Sequence, residues 1–192
     1  KSIKKEKNKS EKSISESLQN IPEHKTFLII LACLGYQFNI KVISDATGLS
    51  LIETAKTIEE ISIKTGIIEN TPNENNKIKF RNRSTLLALN NIFCLNENLD
   101  NIPLIQRTCC FNAAVAIKNY QKENINESER IFNLFEKSGT NNLENTFDSG
   151  LDTIANFCVL NQFDKANLII EKCLYYLKNY NSKNKNIFLN KI

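Results

Sequence analysis

The segment 43–80 constrains the fold of this chain more than any other part of the sequence. A short helical pattern stops at Gly48, and Ser50 is followed three residues later by Glu53, which is the spacing of a capping box at the start of a helix. Gly66 is suited to end this second helix, because glycine readily adopts the left-handed backbone conformation. The segment therefore predicts two short helices in close succession.

Two strands are predicted after the second helix. One begins at residues 67–68, and the other is the alternating charged and apolar run at 77–81. Residues 71–76 between them are rich in Asn and include a Pro, which is typical of a turn. A helical pair followed by a β-hairpin predicts a winged-helix domain with a small hairpin over residues 13–98, preceded by a basic flexible arm at 1–12.

The second helix of this domain has one apolar face. Its predicted inward residues recur at steps of three and four and are Leu51, Ala55, Ile58, Ile61 or Ser62, and Thr65. The predicted outward residues are Glu53, Lys56, Thr57, Glu59, Glu60 and Lys64. Three acids against two lysines match a DNA groove poorly, because recognition helices usually offer Arg, Lys, Asn or Gln to bases and phosphates.

The remaining helices are predicted from apolar periodicity, with a break at 99–103. They cover 13–20, 22–34, 40–47, 84–96, 104–122, 126–137, 143–160 and 164–180, and a further helix begins within 184–192. The last two pairs are similar at an offset of 37 residues, close to the tetratricopeptide period of about 34. The matched positions are Ala113 with Gly150, Ile117 with Ile154, Asn124 with Asn161, and Ile131 with Leu168.

The fold class is therefore mainly α. Residues 99–192 are predicted to form antiparallel helical hairpins resembling tetratricopeptide (TPR-like) repeats, cut off at the end of the segment. An irregular helical bundle is the alternative.

The composition of the chain favours neither nucleic-acid binding nor a membrane span. The net charge is +4, but six lysines lie within residues 1–12, so the rest of the chain is close to neutral, which does not favour nucleic-acid binding. The longest apolar run, 27–34, is far shorter than the roughly 20 residues of a membrane span. The chain contains no Met, which favours a segment of a longer protein.

The cysteines and the histidine do not predict a metal or catalytic site. The six cysteines form no C-x-x-C pair and are expected to be small buried hydrophobes in a reducing cytoplasm. His24 is the only histidine and has no evident partner in the sequence. No nucleophile with a general base is recognisable, so an enzyme is the least favoured class.

Basic side chains alternate along the second predicted strand and beyond it. Lys77, Lys79, Arg81 and Arg83 are expected to point from one face of the strand. They are either a solvated edge that discourages strand aggregation or a surface facing an acidic partner, such as a neighbouring domain, nucleotide phosphates or a DNA backbone.

Three runs of sequence together resemble a known family. They are Leu31-Ala32-Cys33-Leu34-Gly35-Tyr36-Gln37-Phe38-Asn39, Asp45-Ala46-Thr47-Gly48-Leu49-Ser50 and Lys77-Ile78-Lys79-Phe80-Arg81-Asn82. Their order is similar to the winged-helix segment that follows the nucleotide-binding module of STAND-class signal-transduction ATPases. These include large bacterial transcription regulators and kinase-linked and cyclase-linked ATPases, in which tetratricopeptide-like repeats come next. The resemblance covers residues 21–93, and the repeats extend it to 180.

The resemblance implies a cytoplasmic regulatory segment that contacts other domains of the same chain and protein partners. The implied interdomain or phosphate-facing residues are Lys77, Lys79, Arg81, Asn82 and Arg83, and the implied repeat groove contains Asn112, Asn119, Tyr120 and Asn161. The family often has histidine where this chain has Asn82, which cannot carry charge. No G-x-x-x-x-G-K-[ST] motif occurs, so ATP or ADP would bind elsewhere in the parent protein. The alternative is a DNA-binding winged-helix regulator whose helical region dimerises or senses a signal.

Overall fold

A computed structural model of the chain describes residues 12–70, 77–95, 101–120 and 127–179. These residues form a mainly helical fold with a small antiparallel sheet. The helices are α1 at residues 12–19, α2 Lys25–Leu34, α3 Ile40–Thr47, α4 Leu51–Thr65, α5 Arg83–Ile92, α6 Leu104–Tyr120, α7 Ser128–Lys137, α8 Leu143–Val159 and α9 Phe163–Asn179. The strands are β1 Gln37–Asn39, β2 Ile68–Asn70 and β3 Lys77–Phe80.

Local signals determine where α3 and α4 begin and end. Gly48 and Gly66 follow the two helices with φ angles of 72° and 63°, in the left-handed region. Ser50 and Glu53 form the predicted capping box, because the Ser50 side chain accepts from the Glu53 backbone N–H at 3.2 Å and Glu53 accepts from the Ser50 N–H at 3.0 Å. These helix boundaries are confirmed.

The sheet has three strands, in the order β1-β3-β2, rather than the two that the sequence predicted. The strand that the sequence does not predict is β1, which lies between the helices expected at 22–34 and 40–47. It pairs antiparallel with β3 so that Phe38 lies opposite Ile78, and the Phe38 and Phe80 rings meet edge to face with centroids 5.4 Å apart. A three-residue strand carries too little alternation to be recognised, and this one depends on a partner forty residues away.

Helix α4 buries a different stripe from the predicted one. Ile58 and Ile61 are buried as expected, but Thr54 is buried in place of Leu51 and Ala55, which are exposed. The buried face of the helix toward α3 and β2 therefore begins at Thr54, three positions after Leu51.

Helix α5 begins at Arg83, one residue before the predicted 84–96, and ends at Ile92, four residues before the predicted end. Cys94 takes a positive φ of 54°, and the N–H of Leu95 donates to the carbonyl of Asn90, so the chain turns away before Asn96. Because Arg83 is already helical, it does not continue the strand alternation of Lys77, Lys79 and Arg81.

Helices α6 to α9 pack in sequence, each against the next. At the matched repeat positions Ala113 and Gly150 are both buried, whereas Leu168 is exposed where Ile131 is buried. Leu168 lies on the side of α9 that no described helix covers, so the two matched positions differ in burial. Gly150 allows close packing, since a Cβ there would lie 2.8 Å from Cys173 Sγ on α9 and 3.2 Å from the Phe132 ring on α7.

Two hydrophobic clusters stabilise the described residues, and α7 contributes to both. The larger cluster runs from α2, α3 and the sheet to Cys110 and Ala113 of α6 and to Phe135 of α7. The smaller one joins Phe132 of α7 to α8 and α9. The larger cluster therefore crosses residue 98, where the sequence placed a domain boundary. The predicted arm up to residue 11, the turn at 71–76 and the helix start at 184–192 lie outside the described residues.

Candidate functional site: the cavity between the sheet and α6–α7

Strand β3 presents its lysines on one face of the sheet. Ile78 and Phe80 are buried, and Lys77 and Lys79 project from the opposite side. Lys79 lies opposite Gln37 of β1 and opposite Glu69 of β2 in the two registers. The acidic residue Glu69 of β2 therefore lies next to the basic strand β3 in the sheet.

The three residues after β3 have structural partners of their own. Arg81 Nε lies 3.7 Å from a carboxylate oxygen of Glu69. Asn82 is the N-cap of α5, where its Oδ1 accepts from the Thr85 backbone N–H at 2.8 Å. The Arg83 guanidinium lies 5.8 Å from the centroid of the Tyr36 ring. The five predicted wing residues are thus spread over a strand, the bend that follows it, a helix cap and a helix.

Lys77 and Tyr120, which the sequence assigned to two different surfaces, line one cavity of about 270 Å³. We call it the seam cavity, because its walls come from β1 and β3 on one side and from α6 and α7 on the other. Its polar lining is Gln37, Asn39, Lys77, Tyr120, Glu127 and Arg130, and its apolar lining is Leu34, Phe38, Val42 and Ile117.

Arg130 determines the shape of one wall of the seam cavity. Its Nη2 donates to the carbonyl oxygen of Cys33 at 2.9 Å, near the carboxyl end of α2, and its Nη1 lies 3.2 Å from Glu127. Gly35 makes room for this guanidinium, since a Cβ there would lie 2.6 Å from Nη2. A cation at the carboxyl end of a helix also interacts favourably with the helix dipole.

The other predicted groove residues do not line the seam cavity. Asn112 is half-buried and Asn119 is exposed on α6. Asn161 occupies the turn between α8 and α9 with a φ of 56°, where its N–H donates to the carbonyl of Cys158. Asn161 is therefore a turn residue, for which asparagine is well suited because it tolerates the left-handed region.

Arg81 and Asn82 border a separate cavity of about 390 Å³ beside α1. Its other walls come from the end of α4 and the start of α5, and its lining includes Ser13, Ser17 and Thr85. Of the five predicted wing residues, Lys77 lines the seam cavity and Arg81 and Asn82 line this one, whereas Lys79 and Arg83 line neither.

His24 has partners that the sequence did not reveal. Its Nε2 lies 3.1 Å from Glu60 on α4, and Glu23, His24 and Glu60 are the one group of potential metal ligands found among the described residues. Lys64 already places an ammonium there, 2.6 Å from Glu60 and 3.3 Å from Glu23. The hydrogen bond from Lys64 lowers the pKa of Glu60, and the same contact raises the pKa of Lys64. This group therefore works as an ion-pair network that ties Pro22–His24 to α4.

Of the two cavities and the ion-pair network described above, the seam cavity is lined by the widest range of side-chain types. Its cationic, amide and phenol groups can hydrogen-bond a carboxylate or another anionic group, while the Phe38 and Ile117 side chains can cover an apolar part of the same ligand. Arg130 and Glu127, paired with each other, hold one wall in place. The arrangement suits binding of a small ligand or of a side chain from another domain.

No helix in the described part of the chain is both long and apolar enough to cross a membrane. Comparison with protein-family models, with curated proteins and with solved structures finds no match for this chain.

Proposed function

We propose that this chain is a regulatory and protein-interaction segment of a larger, cytoplasmic STAND-like ATPase. In this proposal residues 13–98 are a winged-helix unit that packs on a nucleotide-binding module elsewhere in the parent protein. The helices that follow are a TPR-like array that receives a protein or small-molecule signal. ATP or ADP would bind the nucleotide-binding module rather than this segment.

The order of elements supports the winged-helix interpretation. Helix α2 is followed by β1, then by α3 and α4, and then by the β2–β3 hairpin. The first strand returns to the hairpin and pairs with β3, which gives the sheet order β1-β3-β2. Three helices combined with a three-stranded sheet of this kind are the parts that a winged helix requires.

The observation that carries the proposal is the seam cavity. Its walls come from the sheet and from the helical array, and α6 packs directly on α2 and α3 beneath it. A ligand there contacts both parts at once, so it can have a different affinity for two arrangements of them. Such a difference is the only way in which binding can shift a conformational equilibrium.

The outward face of α4 supports contact with protein rather than with DNA. Ile52 and Ile63 are 70% and 78% exposed, and the acids Glu53 and Glu59 are exposed beside them. Lys64 is already paired with two carboxylates. Apolar side chains next to acids suit a protein surface, whereas a duplex would repel the carboxylates.

The test uses the complete reading frame that contains this segment. We expect a phosphate-binding loop upstream, and we expect the full-length protein to hydrolyse ATP. Lys77→Glu and Tyr120→Ala, each on one wall of the seam cavity, should change the hydrolysis rate at least about fivefold, the lower range of an allosteric coupling. Lys178→Glu, an exposed change near the end of α9, is the matched control and should leave the rate unchanged.

A reading frame without a phosphate-binding loop would reject the proposal. An unchanged rate in both seam variants would reject the coupling through the cavity. A gel-shift titration with duplex DNA at two salt concentrations tests the alternative function. We expect no binding at low salt, and binding that weakens steeply as salt rises would favour a DNA-binding regulator instead.

A further inference from the structure

Two cysteines far apart in sequence meet in the larger hydrophobic cluster. Cys33 of α2 and Cys110 of α6 have their sulfur atoms 3.6 Å apart, and both side chains are buried. Both are free thiols. A disulfide needs about 2.05 Å between the sulfurs, so its formation requires these two atoms, on helices already in contact, to approach each other further.

A second cavity of about 330 Å³, which we call the thiol cavity, has both Cys33 and Cys110 among its lining residues. Besides the two cysteines, it is lined by the cations Arg130 and Lys137, by Glu129, by the amides of Asn90 and Asn133, and by Ala32, Leu95 and Leu134. A water molecule occupies about 30 Å³ of liquid, so this volume admits hydrogen peroxide or a small organic hydroperoxide. Its amides and cations can hydrogen-bond the oxygen atoms of such a molecule.

The pKa values of the two thiols are shifted in opposite directions. The hydrogen bond from Cys33 lowers the pKa of Cys110, and the positive charge of Lys137 acts in the same direction against the effect of burial. The same bond and burial raise the pKa of Cys33 well above its ordinary value. The two shifts make Cys110 the more acidic thiol of the pair. A thiolate rather than a thiol is the nucleophile in cysteine oxidation.

We propose that Cys33 and Cys110 are a modification site, oxidised by hydroperoxides to a disulfide that ties α2 to α6. In the first step the Cys110 thiolate attacks the O–O bond of the peroxide, which forms a sulfenic acid and releases hydroxide or alkoxide. In the second step the Cys33 sulfur attacks the sulfenic sulfur, which forms the S–S bond and releases water after the Cys33 proton is transferred. Two thiols are oxidised by two electrons, and one hydroperoxide is reduced to water and an alcohol, or to two waters.

The other cysteines differ from this pair. Cys109 precedes Cys110 on α6, but its sulfur lies 4.0 Å from the carbonyl oxygen of Thr26, and burial raises its pKa to about 11. Cys158 is exposed and can react with external reagents or with a second molecule. The proposed site is independent of any role as part of an ATPase, because it depends only on contacts within the described chain.

The experiment uses the whole chain with Cys158→Ser, which removes the exposed thiol. The reduced protein is treated with hydrogen peroxide, remaining thiols are alkylated under denaturing conditions, and a non-reducing digest is analysed by mass spectrometry. We expect two thiols to be lost and one linked pair of peptides, joining Cys33 to Cys110, to appear with the helical circular dichroism unchanged. The midpoint of urea unfolding should rise and should return to its original value on reduction.

Single variants separate the two steps. Cys33→Ser should stop at a sulfenic acid on Cys110, which dimedone traps, and Cys94→Ser is the matched control that should still form the disulfide. If Cys33→Ser does not fold, the peptide map of the Cys158→Ser protein decides alone. Linkage between other cysteines, or alkylation of both Cys33 and Cys110 after peroxide treatment, would overturn the proposal. So would a disulfide that appears only after the helical signal is lost.

Discussion

At the residue scale, Arg130 connects more of the molecule than any of the residues that the sequence singled out. It donates to the Cys33 carbonyl on α2 and pairs with Glu127 just before α7. It also borders both the seam cavity and the thiol cavity. A single guanidinium can do this because its donors are held in a fixed planar fork.

Replacing Arg130 with Met should therefore destabilise the protein by about 1.5–3 kcal/mol, the usual range for hydrogen bonds to charged groups. The change leaves the Cys33 carbonyl and the Glu127 carboxylate without this partner. Urea unfolding followed by far-UV circular dichroism measures the effect. Lys118→Met is the matched control, because Lys118 forms only an exposed ion pair at 4.0 Å with Asp152 and should cost less than about 0.5 kcal/mol. Equal effects of the two changes would contradict this role of Arg130.

Two buried thiols predict a loss of stability in alkali. Burial raises the pKa of Cys109 and of Cys173 to about 11, against an ordinary value of 9.0. The folded state then holds these protons more tightly than the unfolded state. Their contribution to stability is complete below about pH 9 and disappears as the pH rises to about 11. Solvent screening reduces the change in unfolding free energy that the whole pKa shift would give. We therefore expect a loss of about 1 kcal/mol per thiol.

Unfolding free energies at pH 8 and pH 10.5 measure this loss. Cys109→Ala and Cys173→Ala should each reduce the difference between the two pH values, whereas Cys158→Ala, at an exposed position, should leave it unchanged. A difference that is the same in all four proteins would assign the alkaline loss to other groups.

At the element scale, the sequence predicts best what local chemistry determines. The capping box at Ser50 and Glu53 and the glycines after α3 and α4 identify those helices without knowledge of the rest of the fold. Strand β1 could not be found in this way, because its three residues become a strand only by pairing with β3. The buried face of α4 could also not be predicted fully, because the helical period allows either Leu51 or Thr54 on the same face as Ile58 and Ile61.

The candidate site was predictable only in part, for the same reason. Lys77 and Tyr120 were selected, but for separate surfaces, and only the packing of α6 on α2 and α3 brings them to one cavity. Arg130 was missed because its contact with the end of α2 spans 97 residues. Gly35, which follows that helix, is the one residue in the sequence that could have indicated a close contact there.

Close packing of α8 between α7 and α9 can be tested at Gly150. A Cβ there would lie 2.8 Å from Cys173 Sγ and 3.2 Å from the Phe132 ring. Gly150→Ala should therefore cost about 1–2 kcal/mol, although alanine favours a helix by up to about 1 kcal/mol over glycine. Adding Cys173→Ala removes the sulfur atom, so the double variant should be less destabilised than the sum of the single changes. Cys158→Ala, in the same helix but exposed, is the control, and a stabilised Gly150→Ala would show that α8 has room.

At the scale of the whole molecule, the hydrophobic clusters do not follow the predicted domain boundary. The cluster that contains α2, α3 and the sheet also contains parts of α6 and α7. The second cluster is joined to it through α7, whose Phe132 packs toward α8 and α9. Cooperative unfolding is expected when separate parts of a chain share buried contacts of this extent.

Because the chain contains no Trp, single tryptophans can report separately on the part of the fold around the sheet and on the part around α9. Tyr36→Trp places one beside the sheet, and Tyr175→Trp places one on α9, where the side chain is 59% exposed. We expect the two fluorescence transitions in urea to have the same midpoint as the far-UV circular dichroism of the same variant. Midpoints that differ between the two probes would show that the two parts unfold independently.

The double contribution of α7 has a consequence for evolution. Five of its ten residues, Ser128, Ile131, Phe132, Leu134 and Phe135, are buried, and of these Ile131, Leu134 and Phe135 belong to the larger cluster and Phe132 to the smaller one. A substitution that improves the fit on one side has little freedom to compensate on the other. In related sequences drift should therefore be slow along α7 and fast along the outer face of α4, where Ile52 and Ile63 face solvent.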